Sequence, residues 1–227
     1  RTRLTLAADQ HAVIDMVTGI APGREACMAL IDKYRDRHLA DRVFDLAWTH
    51  SEVVRRQINA SQFEAYLFER LAGLLVYTHP ALRAAPQVLL QNRRGQSGLW
   101  GHAISGDLPI VLLQVADVEN LELVRQLVRA HAYWRLKGLE VDLVIWNEEQ
   151  GGYRQELQEL ILDVVGASPE AHLLDQRGGI FVRAAHLIPQ EDRVLIQSVA
   201  RVVLSDADGA LAVQAARQTP PEPIMAP

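Results

Sequence analysis

Between Pro109 and Leu204, short apolar runs alternate with stretches of helical period, and this alternation restricts the fold more than any other feature of the chain. Ile110-Val111-Leu112-Leu113 is nearly unbroken, as a strand buried on both faces must be. Val141 to Trp146 is a second such run. Residues 172–174 and 179–183 read as strands around Gly178-Gly179, and Arg201 to Leu204 is the last. Between the first two runs, Asn120 to Lys137 sets Leu121, Val124, Leu127, Val128 and Ala132 on one helical face, with Gly138 where such a helix closes. Gly151-Gly152 precedes a similar pattern through Leu157, Leu160, Ile161 and Val164. Pro189, with Glu191 and Asp192 in the turn behind it, marks another helix start. Strands separated by helices predict an α/β fold with a small, mostly parallel sheet covered on both faces.

The first hundred residues follow other rules. Leu4 and Leu6 alternate with Arg3 and Thr5, and Val13, Ile14 and Val17 follow after Ala8-Asp9-Gln10. This predicts a β-hairpin over 1–20. A lone hairpin is barely stable in water, so it is expected to complete a β-sandwich lying elsewhere. Pro22-Gly23 ends the pattern, and residues 24–35 and 38–58 read as helices. Ser61 and Glu64 form a capping box that opens a third helix through Leu67, Phe68, Leu71 and Leu75. The expected division is a hairpin at 1–20, a helical linker region with a Gly-rich loop at 21–105, an α/β domain at 106–207 and a Pro-rich linker at 208–227. The start at Arg1 without Met suggests a piece of a longer protein.

A net charge of −5 offers no basic field for nucleic acid. No apolar run reaches the roughly 18 residues of a membrane span. A single cysteine, Cys27, excludes an intrachain disulfide and is expected to be a small buried residue. The histidines are scattered without ligand spacing, so no metal site is expected, and His131 reads as a hydrogen-bonded interior residue. No dinucleotide fingerprint follows a strand, and no cofactor is expected.

Chemistry concentrates in the run Asn92 to Pro109, with four glycines, Trp100, His102, Asp107 and the pair Arg93-Arg94. The arginines could hold a phosphate or carboxylate, Trp100 could stack on a sugar, and Asp107 could accept from its hydroxyls. The same residues also suit a domain connection: Trp100 in the core between Leu99 and Ile104, Asp107 capping a turn, the arginines paired with acids nearby. Burial of Trp100 is the expectation. Glu148, directly after the second strand, stands where open α/β sheets often bind ligands.

Three stretches, Asn92 to Trp100, Ile104 to Val111 and Ala130 to Leu139, together resemble the bacterial cyclic β-1,2-glucan synthases. Ala29 to Asp36 also resembles the helix that follows a β-sandwich in those proteins and in cellobiose-phosphorylase-type enzymes. The resemblance implies a segment of the C-terminal, phosphorylase-like half of a very large inner-membrane glycosyltransferase, on the cytoplasmic side. Such proteins polymerise glucose from UDP-glucose and cyclise the product. No catalytic residue carries over: the transferase aspartates, its Gln/Arg-x-x-Arg-Trp motif and the motifs of the helical barrel have no match here. Only Arg93, Arg94, Trp100 and Asp107 stand on a family hallmark.

The resulting expectation is a soluble segment that positions catalytic domains and contacts glucan, with other domains of the same polypeptide as its partners. Arg93, Arg94, Trp100, Asp107 and Glu148 are the candidate binding residues. Two alternatives stand beside it. One is a glycan-active enzyme using Asp107 and Glu148 as a carboxylate pair. The other is a regulatory module that binds a phosphorylated ligand at Arg93 and Arg94.

Overall fold

Four strands, β1 (Ile110–Val115), β2 (Asp142–Asn147), β3 (Ile180–Ala184) and β4 (Val202–Ser205), form one parallel sheet in the order β3-β2-β1-β4. The computed structural model describes residues 3–149 and 156–217. Register places Val111 beside Leu143 and Val202, and Leu143 beside Ile180, so alternate residues of all four strands line up on one face. That face packs against α3 (Gln62–Val76), α6 (Leu121–Leu136), α7 (Glu156–Gly166) and α9 (Leu211–Ala215). Ile110, Leu112, Val144, Trp146 and Phe181 face the other way, onto α8 (Gln190–Val199) and the buried loop residues Leu99 and Ile104. The chain steps outward from β1 to β3 with α6 and α7 on one face. It then returns across the sheet to β4 through α8 on the other, as a constant crossover hand requires.

The α/β expectation therefore holds, with strand bounds shifted by a residue. Residues 171–173 differ from it: they form a 3-10 turn, and only Leu174 bridges to Ile180. Ser61 and Glu64 form the expected capping box on α3. Trp134 on α6 donates its indole N–H to the Phe68 carbonyl at 2.7 Å, and Tyr133 reaches Glu69 at 2.7 Å, fastening α3 to α6.

The chain divides into compact units Arg1–Val53 and Val54–Pro227. α3 and its capping turn, which fall in the expected helical linker region, supply cover to the sheet of the second unit. Residues 211–215, expected within the Pro-rich linker, form α9, with Leu211, Gln214 and Ala215 buried. Gln214 holds that turn through the backbone of Ser205 and Gly209. The proline-rich stretch from 218 and the Gly151-Gly152 turn lie outside the described residues.

The first unit contains α1 (Arg24–Tyr34) and most of α2 (Arg37–Gln57). Residues 3–20 form no strand; of the predicted hairpin only the turn is present, where Gln10 donates to the Ala7 carbonyl and Asp9 sits at φ 64°. Two short segments without a third strand cannot hold a ladder in water. Cys27 is half-buried instead of buried.

In the second unit, a polar cluster ties α6 to the turn before β3. His131 engages Glu170 through Nδ1 at 2.8 Å and the Val141 carbonyl through Nε2 at 3.0 Å. Arg135 forks onto the same carboxylate. Burial alone would raise the Glu170 carboxyl, but the hydrogen bonds from His131 and Arg135 outweigh it and hold it at about 2. A carboxyl lowered on folding adds stability above its unfolded value, and that stability is lost as pH falls toward the folded one. We expect about 3 kcal/mol to disappear between pH 5 and pH 2, read from urea midpoints. Glu170→Gln should start less stable at neutral pH and show a flatter profile through that window.

Candidate functional site

The Gly-rich run follows the short helix α4 (Pro86–Gln91) and folds as a bend, the single turn α5 (Ser97–Trp100) and a return to β1. Two glycines of the run sit tightly against leucine side chains. A Cβ on Gly98 would lie 2.7 Å from Leu195, and Gly106, at φ +76°, would put one 2.8 Å from Leu99. These approaches seat Leu99 and Ile104 in the sheet face.

Trp100 does not share that pocket. It is 63% exposed, against the expectation of a buried ring. Helical geometry explains the difference: adjacent side chains of α5 point about 100° apart, so burying Leu99 turns Trp100 outward. Its indole N–H donates to the Ser105 carbonyl at 3.3 Å, which orients the exposed ring. Gln96 donates to that same carbonyl at 2.9 Å and to Asp107 Oδ1 at 3.0 Å. Gln96 and Asp107 stand on the rim of a cleft of about 550 Å³, with Leu75, Leu108 and Val199 inside it and Arg94 and Arg201 also lining it.

Arg94 is engaged by the protein itself. Its guanidinium donates to Glu191 at 2.9 Å and to Asp192 at 2.7 Å, and these acids raise its pKa. His102 meets the other Asp192 oxygen at 3.1 Å. Sequence reasoning could have found this partner, since Glu191 and Asp192 are the acids of the first turn of α8. Arg93 is exposed and has no ion pair among the described residues.

Glu148 lies at the other end of the sheet. Its amide donates to the Val115 carbonyl, beyond the last residue of β1, whereas Asp107 precedes the first. Six residues of strand, roughly 20 Å, separate the two levels, far beyond the roughly 5–10 Å between paired glycosidase carboxylates. The two acids therefore do not make a catalytic pair. Glu148 accepts from Gln114 at 3.0 Å and Arg193 at 3.2 Å, while Arg193 stacks 5.5 Å from the Trp146 ring. With Glu149 and His186 it lines a second pocket of about 350 Å³.

A third arrangement had no sequence signal. Strand order reverses between β1 and β4, and beyond their carboxyl ends such sheets commonly bind ligands. Here the Asp206 carboxylate fills the place: its Oδ2 accepts from the amides of Ala116 at 2.8 Å and Asp117 at 3.0 Å, and from Asn120 at 3.3 Å. Among the described residues no group of acids, histidines or cysteines could hold a metal ion, and no helix is long and apolar enough to cross a membrane.

No family model matches the chain. Over 200 residues, 88% of its length, it is 34% identical to the cyclic beta-(1,2)-glucan synthase NdvB of Rhizobium meliloti (strain 1021). It spans only 7% of that relative.

The exposure of Trp100 gives a direct stability test. Leu99→Ala should cost about 2–5 kcal/mol, the range for a buried leucine. Trp100→Ala should stay within about 0.5 kcal/mol of the parent, as surface changes do. Thermal unfolding of the two variants side by side measures both; an equal loss in each would mean that the ring is packed.

Proposed function

The chain belongs, as a segment, to the cyclic β-1,2-glucan synthases, and we propose that it contributes to glucan synthesis by positioning other domains of that polypeptide, without catalysing a step itself. The observation that supports this is the surface of its first unit. No residue from 3 to 53 whose side chain is described is buried, and Phe44, Leu46, Trp48 and Val53 of α2 and Ile31 of α1 are all exposed. Large apolar side chains left open all round a helix are candidates for cover by a partner. The relative's far greater length supplies other domains to cover it. Hydrogen exchange tests the reading. Amides of α2 between 37 and 53 should exchange rapidly in the isolated chain and become strongly protected in the longer synthase. Equal exchange in both would reject the positioning role.

Glucan contact is the second reading, and Trp100 favours it. An exposed indole, oriented by its own N–H and set beside the Gln96–Asp107 rim, offers a flat face for a sugar ring and acceptors for its hydroxyls. Of the candidate residues, Trp100 and Asp107 carry this reading, while Arg94 serves the fold. Titration with β-1,2-glucan oligosaccharides should show saturable binding that Trp100→Ala reduces about tenfold or more, with the melting temperature unchanged. Binding insensitive to Trp100→Ala, or none at millimolar oligosaccharide, would reject it.

A further inference from the structure

Asp206 closes the seam between β1 and β4, but the pocket of about 350 Å³ stands beyond the carboxyl ends of β1, β2 and β3. Register sets the last residues of these strands, Val115, Asn147 and Ala184, side by side. The next residue on each, Ala116, Glu148 and Ala185, emerges at one level on neighbouring strands, and all three line the pocket. Glu149 and His186 follow on their own strands, and Arg193 joins them from the first turn of α8. Three parallel strand ends and one helix thus bring their side chains to one crevice, the usual place for a ligand on such a sheet.

The backbone there is fixed and the side chains are not fully engaged. The Glu148 amide donates to the Val115 carbonyl at 2.7 Å, and the Glu149 amide to Asn147 Oδ1 at 2.9 Å. Both partners of the Glu148 carboxylate, Gln114 and Arg193, fall on Oε1, which leaves Oε2 without one among the described residues. The Glu149 carboxylate and the His186 ring have no partner among those residues either. Arg193 lies over the Trp146 ring, and Trp146 keeps a buried indole N–H with no acceptor.

The mixture of groups selects the ligand. Carboxylates only accept, a guanidinium only donates, and an imidazole can do either. A sugar hydroxyl donates and accepts at once, so adjacent hydroxyls can serve both kinds of partner. An anion would meet two carboxylates against one guanidinium, and an ammonium would find no use for Arg193. The volume lies near the small end of the roughly 300–1,000 Å³ common for ligand pockets. We propose that this pocket binds a neutral sugar ring, with Glu148 Oε2 and Glu149 accepting from its hydroxyls and Arg193 and His186 completing the contacts. The assignment rests on the pocket's own donors and acceptors and not on the Trp100 reading.

Protein-observed NMR of the whole 227-residue chain tests it. Glucose and its β-1,2-linked disaccharide should shift the amides of Glu148, Glu149 and His186 saturably, with a Kd on the order of millimolar for so small a ligand. Glucose 1-phosphate should bind about fivefold more weakly or worse. Glu149→Gln and His186→Ala should each weaken glucose about threefold or more at an unchanged melting temperature, since neither side chain has a partner in the described fold. Absence of saturation by about 100 mM glucose, or affinity unchanged in both variants, would overturn the site. Saturation by glucosamine with none by glucose, or by glucose 1-phosphate as tightly as by glucose, would overturn the neutral-sugar assignment. Shifts abolished by Trp100→Ala would move the binding to the loop and overturn this pocket. Shifts that survive Trp100→Ala would sustain it even if the Trp100 reading fails, so the two failures remain distinct.

Discussion

Both faces of the four-strand sheet are apolar, and every strand must be covered twice. Ile110, Leu112, Val144 and Trp146 need a lid as much as Val111, Leu113, Leu143 and Ile145 do. One face takes α6 and α7 from between its own strands. The other has only α8, a ten-residue helix, and that is too little. The Gly-rich run makes up the difference with Leu99 and Ile104. Its glycines, its acid partners on α8 and the outward turn of Trp100 all follow from that covering task. The chemistry of the loop is thus the outer surface of a packing element.

Interior patterning made the sheet legible in the sequence. The strand runs, the helix from Asn120 and the capping box at Ser61 each carry a local signature that agrees with the final packing, and agreement across levels makes a segment readable. The failures lie where a segment's fate depends on something distant. Leu4, Leu6, Val13 and Ile14 have strand-like spacing, but a ladder needs a partner that spacing does not reveal. Leu211 and Ala215 looked like the start of a tail because four to five residues are too few for a visible period. Trp100 was read as core because its neighbours are apolar, yet in one turn of helix an apolar neighbour is evidence of opposite orientation.

The site suffered more than the fold, for a topological reason. Asp107 and Glu148 lie near one another in sequence order around the sheet, one before β1 and one after β2. In a parallel sheet those positions are opposite ends, because each strand is entered at the same edge. Asp107 stands at the entry edge; Glu148 sits at the exit edge with Arg193 and Trp146. Composition gave the ingredients of a site; connectivity decided which of them meet.

Asp206 shows what a tethered ligand does for such a sheet. Its carboxylate occupies the amides of Ala116 and Asp117 as a bound anion would, but it arrives on the same chain. An intramolecular partner acts at an effective concentration that no solute needs to reach, and it cannot be washed out. The seam between β1 and β4 therefore stays closed whatever the surrounding pool of small anions contains. A domain built in this way has exchanged responsiveness at that seam for constancy, and any dependence on solutes has to enter elsewhere.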